Sequence, residues 1–221
     1  DQATLARAVA RDPWAVGLIG KSAQGPARAL PLTDSCGFPL SPDPTAIRAE
    51  DYPLTFPTLL LIPPRRLPLI ARESLEYLSS PAGDQAVAGL GHVGRGIQRH
   101  PLTDDGLRLI NAIQGAGADV TLPDLQALVT AMTGTDRLSL TFRFEDGASE
   151  LDAPSRDNLD DLARLVGSGN FARERLTLVG FSDGSGSAAE NKALSLTRAE
   201  AVRNALQAAA PDLSADQLPM V

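Results

Sequence analysis

Residues 176–209 read LTLVGFSDGSGSAAENKALSLTRAEAVRNALQAA, and this stretch predicts a strand, a glycine-rich loop and a long helix in that order. Residues 176–181 are an apolar run of the length typical of a strand. Ser187, followed three residues later by Glu190, has the form of a capping box. We therefore expect a helix to begin at Ser187 and to run to about Ala209.

The preceding segment predicts the same pair of elements. Residues 138–144 alternate apolar and polar side chains, which is typical of a half-buried strand. Pro154 opens a helical pattern whose apolar positions share one face: Leu159, Leu162, Ala163 and Val166. The order strand, helix, strand, helix predicts a small α+β or α/β sandwich.

Earlier in the chain, the spacing of apolar residues predicts several short elements. Helices are expected over residues 1–10, 67–78 and 81–90, and again from a start at Thr121 to a stop at Gly134. Buried or edge strands are expected over three apolar runs: 15–20, 29–32 and 52–62. The last run contains two prolines, which cannot donate to a ladder, so it is expected to be an edge strand or a crossing segment rather than the centre of a sheet. Residues 33–51 are expected to be mostly loop.

Composition excludes several classes of function. The 221 residues carry 20 basic and 27 acidic side chains, a net charge of −7, which disfavours nucleic acid and anionic lipid as partners. A single cysteine, Cys36, excludes an internal disulfide and a cysteine-rich zinc site. No metal or cofactor is expected. The longest apolar run, residues 59–63, is far too short to cross a bilayer, so no transmembrane segment is expected in this chain.

Three short motifs suggest ligand or catalytic sites that their context rejects. Residues 89–94, GLGHVG, match a dinucleotide fingerprint but follow a predicted helix rather than a strand. Residues 180–184, GFSDG, match a nucleophile elbow, yet no histidine base follows His100 in the chain. Residues 183–187 fit a D-x-S-x-S metal loop, but too little chain follows for the fold that uses it. No nucleophile–base pair can be assembled, so no catalytic residue and no enzyme is predicted.

Arg198 is the charged residue that needs an explanation. It shares a helix face with apolar positions: Leu194, Ala201, Val202, Ala205 and Leu206. An inward guanidinium requires a carboxylate partner or a ligand, because a buried unpaired charge is costly. Asp183, at the end of the preceding strand, is the nearest candidate in sequence. Spacing alone favours a structural Asp183–Arg198 ion pair over a binding site.

The residues around Arg198 resemble a family signature. Gly180 to Asp183, then Gly186, Asn191, Leu194-Ser195 and Arg198-Ala199, with Val202 beyond, are similar to the OmpA-like (OmpA/MotB) peptidoglycan-binding domain. Ser182 stands where that family usually has threonine. Residues 144–151 resemble the family's first strand and loop, although Asp146-Gly147 stands where some members place a ligand-binding asparagine. The resemblance covers about residues 136–221, and the family's final strand is not in this chain.

The resemblance implies a site for the peptide stem of peptidoglycan, held by the free amino-acid end of diaminopimelate. Asp183 would receive the ammonium group and Arg198 the carboxylate, since a zwitterion needs one fixed charge of each sign. Asn191, in the first helical turn, would add an amide hydrogen bond, and Ser182 completes the predicted site. The helix N-terminus would favour the carboxylate through its dipole.

Residues 1–98 resemble a different family. Four segments, 12–20, 36–37, 51–54 and 85–93, look like the closing portion of a phosphate-type periplasmic solute-binding protein. The anion-binding S-G-T segment of that family does not occur here. The resemblance implies phosphate or another oxyanion as a partner of the full-length protein.

The complete prediction is an α+β or α/β protein of two small domains. Residues 1–98 are an incomplete, periplasmic-binding-protein-like lobe, residues 99–135 a helical connector, and residues 136–221 a βαβα OmpA-like domain. The predicted function is non-catalytic anchoring of the solute-binding-like part to peptidoglycan. The alternative is an oxyanion receptor of the ABC-transporter type whose OmpA-like part is only a tether. Either function implies the periplasm of a Gram-negative cell envelope, near the outer membrane and associated with the cell wall, with a signal peptide that is not in this chain.

Overall fold

A computed structural model describes residues 1–33, 39–102, 109–110, 113–114, 116–117, 120–145, 148–182 and 186–221. The chain divides into two compact units, Asp1–Gln98 and Arg99–Val221. The three-part division into 1–98, 99–135 and 136–221 stays a prediction. Cys36, Asp146, Gly147 and Asp183 lie outside the described residues.

The first unit contains four helices among its described residues: α1 Gln2–Arg11, α2 Pro44–Arg48, α3 Leu69–Leu78 and α4 Pro81–Gly89. The three helices predicted in this unit are confirmed. Helix α2 is new, because residues 33–51 were expected to be mostly loop. Asp43 caps it by accepting a hydrogen bond from the Ala46 N–H at 2.9 Å, and Pro44 supplies the fixed φ of a first helical turn.

The strands predicted in the first unit are largely absent from its described residues. Leu32–Thr33 (β1) pairs antiparallel with Pro39–Leu40 (β2). Of the strand predicted over residues 29–32, only the last residue, Leu32, lies in a strand. The strands predicted over 15–20 and 52–62 are wrong: both segments run without ladder partners among the described residues, and Val16 and Leu61 are 77% and 88% exposed. An apolar run becomes a buried strand only where neighbouring strands pair with it and other side chains pack on it. The lobe expected from the solute-binding-protein resemblance is therefore not shown.

The glycine-rich loop after α4 packs against the Asp84 carboxylate. The backbone N–H of Arg95 donates to Asp84 Oδ1 at 3.1 Å. A Cβ atom at Gly94 or Gly96 would displace the same carboxylate, so glycine at these positions lets the loop lie close to Asp84. Helix α4 leads into residues 89–94, so this stretch lacks the preceding strand of a dinucleotide fingerprint.

Three helices of the second unit are described over their whole length: α5 Leu122–Met132, α6 Ala153–Gly167 and α7 Ala188–Ala209. All three begin where the sequence predicts. Thr121 and Ser187 form capping boxes with Asp124 and Glu190, and Asp152 caps α6. A 3₁₀ turn, Ala215–Gln217, follows α7.

Two small pieces of sheet complete the second unit. Arg99–Pro101 (β3) pairs antiparallel with Asp136–Leu138 (β4). The strand predicted over 138–144 is therefore present only at its start and at Phe144, which forms an isolated antiparallel bridge with Leu151.

The strand predicted over 176–181 pairs in parallel with the end of the chain. Leu176, Leu178 and Gly180 donate backbone hydrogen bonds to residues 217, 219 and 221 at 2.8–3.0 Å, and Val221 donates back to Leu178. Helix α7 is the crossover that this parallel pairing requires.

The core of the second unit lies where α6 packs on α7. Buried side chains come from both helices and from the C-terminal loop: Leu159, Leu162, Ala163, Ala199, Val202, Leu206, Leu213 and Leu218. The result is a mixed helix-and-sheet architecture with small sheets, consistent with an OmpA-like domain. Within the described ranges, no helix is long and apolar enough to cross a bilayer.

Candidate functional site

Arg198 lies on α7 with its guanidinium over an aromatic ring. The guanidinium carbon is 5.0 Å from the centre of the Phe144 ring. Arg198 is half-buried, and its Nε is fully buried without a hydrogen-bond acceptor among the described residues. The predicted partner Asp183 lies outside those residues, so the Asp183–Arg198 pair stays a prediction.

The position of Arg198 follows from how α7 packs. Ala199 and Val202 are buried directly after it, while residues 192–194 and 196–197 are exposed. The apolar stripe predicted on this helix is correct at Val202 and Leu206 but wrong at Leu194, which is 39% exposed. The first turns of α7 thus lie at the surface, and Arg198 stands where the helix enters the core.

The strand before the loop touches α7 at one point. A Cβ atom at Gly180 would overlap the backbone carbonyl of Ser195, with its carbon only 2.9 Å away. Only glycine allows the strand and the helix to approach this closely. Ser182, two residues further, is half-buried, and Asn191 is half-buried in the first turn of α7.

Hydrogen bonds hold the backbone of Arg143, the residue directly before Phe144. The Arg143 N–H donates to the Ser155 hydroxyl at 2.7 Å, and the Asp152 N–H donates to the Arg143 carbonyl at 3.1 Å. Ser155 is only 1% exposed. The start of α6 therefore fixes the segment that carries the ring.

Charges at the N-terminal end of α7 are paired. The Ser187 hydroxyl and backbone N–H donate to the Glu190 carboxylate, and these bonds lower the pKa of Glu190. Lys192 Nζ lies 2.7 Å from Asp124 Oδ1. The hydrogen bond from Lys192, followed by those from Thr121, lowers the pKa of Asp124 to about 2.

The structure places three of the four predicted site residues: Ser182, Asn191 and Arg198. The contacts of Phe144 with Arg198 and of Asp124 with Lys192 were not predicted. Phe144 could have been noticed as the last apolar position of the alternating run over 138–144. The Lys192–Asp124 pair joins two helices far apart in sequence, so no local pattern indicates it. Within the described part of the chain, no group of three or more histidine, cysteine or acidic residues could hold a metal ion.

Comparison with known proteins matches the C-terminal part of the second unit to one family. Residues 143–221 match the model of the OmpA family. No curated protein and no solved structure matches the chain. Residues 143–221 therefore form an OmpA family domain, a generally non-catalytic class that binds peptidoglycan and typically belongs to the cell envelope. The solute-binding-protein resemblance of residues 1–98 and its oxyanion partner have no support in these comparisons.

Proposed function

We propose that residues 143–221 bind the diaminopimelate end of the peptide stem of peptidoglycan, and that the protein works in the periplasm. The observation that carries the proposal is the Arg198 guanidinium, half-buried on α7, whose Nε has no acceptor among the described residues. A cation in this environment gains most from an anionic partner, because burial removes the water that would otherwise solvate it. A ligand carboxylate supplies that partner.

The chemistry of diaminopimelate fits the predicted residues. Its free end is a zwitterion with one ammonium and one carboxylate group. The planar fork of Arg198 suits two parallel hydrogen bonds to the carboxylate. Asp183 would accept from the ammonium, and Asn191, in the first turn of α7, would add an amide hydrogen bond.

Arg198 is favoured over Lys192 as the cation that holds the carboxylate. These are the only basic residues between positions 180 and 199. The Lys192 ammonium is 2.7 Å from the Asp124 carboxylate, so its charge is already balanced. The Nε of Arg198 has no such acceptor within the described ranges.

Sedimentation with purified sacculi tests the proposal. Wild-type protein should sediment with sacculi that contain diaminopimelate. Arg198→Ala should weaken binding thirtyfold or more, since truncating one partner of a partly buried charge pair typically costs about 2–5 kcal/mol. Asp183→Ala should lose a comparable amount. Free meso-diaminopimelate should compete, whereas a stem peptide with lysine in place of diaminopimelate, whose side chain ends in an ammonium without a carboxylate, should not.

Arg203→Ala is the matched control. Arg203 is on the same helix but on another face, so its loss removes the same charge without touching the candidate site. Melting curves for each variant separate lost binding from lost folding. Wild-type protein that stays in the supernatant would contradict peptidoglycan binding. Arg198 would then have only a structural role.

A second test concerns the remaining prediction for residues 1–98. If this part belongs to an oxyanion receptor, phosphate should raise the melting temperature of the protein, because a ligand that binds only the folded state stabilises it. If the protein is a wall anchor alone, only peptidoglycan fragments should do so.

A further inference from the structure

We propose that Phe144 is a positioning residue that orients the Arg198 guanidinium for its anionic ligand. This inference rests on the proposed function for the ligand, but the contact itself can be tested without one. The guanidinium carbon lies 5.0 Å from the ring centre, inside the distance at which a cation is attracted to an aromatic face. The ring thus contacts the cation itself.

The ring is well placed to fix the direction of the guanidinium. An arginine side chain has many rotamers, and holding it in one of them before the ligand arrives lowers the entropy cost of binding. Phe144 can act in this way because its own backbone is fixed. Its bridge to Leu151 and the hydrogen bond from Arg143 to Ser155 tie it to the start of α6.

A second arginine–phenylalanine contact in the same unit provides a comparison. Arg99 lies 5.8 Å from the centre of the Phe171 ring, and it also forms ion pairs with Glu174 at 2.5 Å and Asp136 at 3.8 Å. There the carboxylates are sufficient to hold the cation. At Arg198 the described residues provide the ring contact and leave Nε without an acceptor. The ring at Arg198 therefore orients a guanidinium that no ion pair among the described residues holds.

The contact is tested first by nuclear magnetic resonance of the free protein. A proton over a ring face resonates upfield, so the Nε–H signal of Arg198 should be displaced upfield in the wild type. Arg198→Lys assigns the signal by removing it. Phe144→Leu should return it to the ordinary position, and Phe144→Tyr, which keeps the ring, should not.

Binding to sacculi then tests the function of the contact. Phe144→Leu should weaken binding roughly fivefold to tenfold, the range that a partly desolvated cation–π contact supports. Phe144→Tyr should stay within about twofold of the wild type, because it keeps the aromatic face that the cation contacts.

The outcomes are distinct for the two proposals. A signal and an affinity that are both unchanged in Phe144→Leu would overturn the positioning role, as would a loss of affinity that tyrosine does not rescue. Wild-type protein that fails to bind sacculi would contradict the proposed function instead. In that case the Nε–H signal of Arg198 still tests the contact. An upfield displacement that is lost in Phe144→Leu and kept in Phe144→Tyr supports the contact. A wild-type signal without this displacement overturns it.

Discussion

Lys192 on α7 donates to Asp124 on α5, with 2.7 Å between Nζ and Oδ1. The pair joins the N-terminal parts of two helices. A cation near the start of α7 is therefore balanced by a carboxylate from the segment expected to be a connector. The same carboxylate is part of the Thr121 capping box. One aspartate therefore caps its own helix and holds a second one.

The first prediction is a loss of stability in acid that depends on Asp124. Its folded-state pKa of about 2 lies below the ordinary value of 3.8, so the ionised form stabilises the fold. That stability is complete above the ordinary pKa and is lost as the pH falls from about 4 towards 2. The free energy of unfolding of wild type should fall more steeply over this range than that of Asp124→Asn.

Lys192→Met is the companion variant, because the hydrogen bond from Lys192 is the largest cause of the lowered pKa. It should flatten the same acid limb in part, leaving the contribution of Thr121. Identical acid limbs in wild type and Asp124→Asn would contradict this account.

The second prediction concerns the contact between Gly180 and Ser195. Gly180→Ala should destabilise the second unit by about 1–3 kcal/mol, since its Cβ would overlap a backbone carbonyl that cannot rotate away. Chemical denaturation measures the change. Gly167→Ala is the control: its Cβ would meet nothing within 4 Å, and alanine is the better helix former there. Equal destabilisation by both substitutions would refute the close-packing argument.

The third prediction tests the core between α6 and α7. Leu206 is fully buried, so Leu206→Ala should cost about 2–5 kcal/mol of unfolding free energy. Leu196, on the same helix, is 45% exposed, and its replacement by alanine should cost far less. Thermal melts of the two variants make the comparison, and a larger loss for Leu196→Ala would mean that α7 packs through a different face.

The fourth prediction concerns Ser155. Its hydroxyl accepts the Arg143 N–H at 2.7 Å in a buried position, so Ser155→Ala strands that donor and should cost about 1–3 kcal/mol. Faster amide exchange at Arg143 is the specific readout. Ser149→Ala, at an exposed position, should stay within about 0.5 kcal/mol of the wild type. Unchanged exchange at Arg143 would show that the bond contributes nothing.

Local signals in the sequence predict the helices well. Thr121 with Asp124, and Ser187 with Glu190, are caps whose donors and acceptors lie within four residues of each other, so the pattern contains the whole interaction. Helix α2 was missed because a single turn capped by Asp43 leaves too short a periodic pattern to recognise.

Strands depend on partners that a local pattern does not contain. Residues 176–180 and 52–62 are both apolar, yet among the described residues only the former pair with another extended segment, residues 217–221. The candidate site divides in the same way. Spacing along α7 placed Arg198 on an inward face, but its contact with Phe144 depends on how α6 and the preceding loop fold.

The parallel pairing of residues 176–180 with residues 217–221 sets an order of events in folding. Helix α7 and its cap depend on contacts close in sequence and can form early. Residues 176–180 and 217–221 are separated by the whole crossover, so their pairing carries the entropy cost of closing that long loop. The strand that leads into the candidate site therefore stays unpaired until the segment after the crossover has been synthesised and has docked. Until then its free backbone edge is exposed, and the nascent domain is most vulnerable to aggregation in that interval.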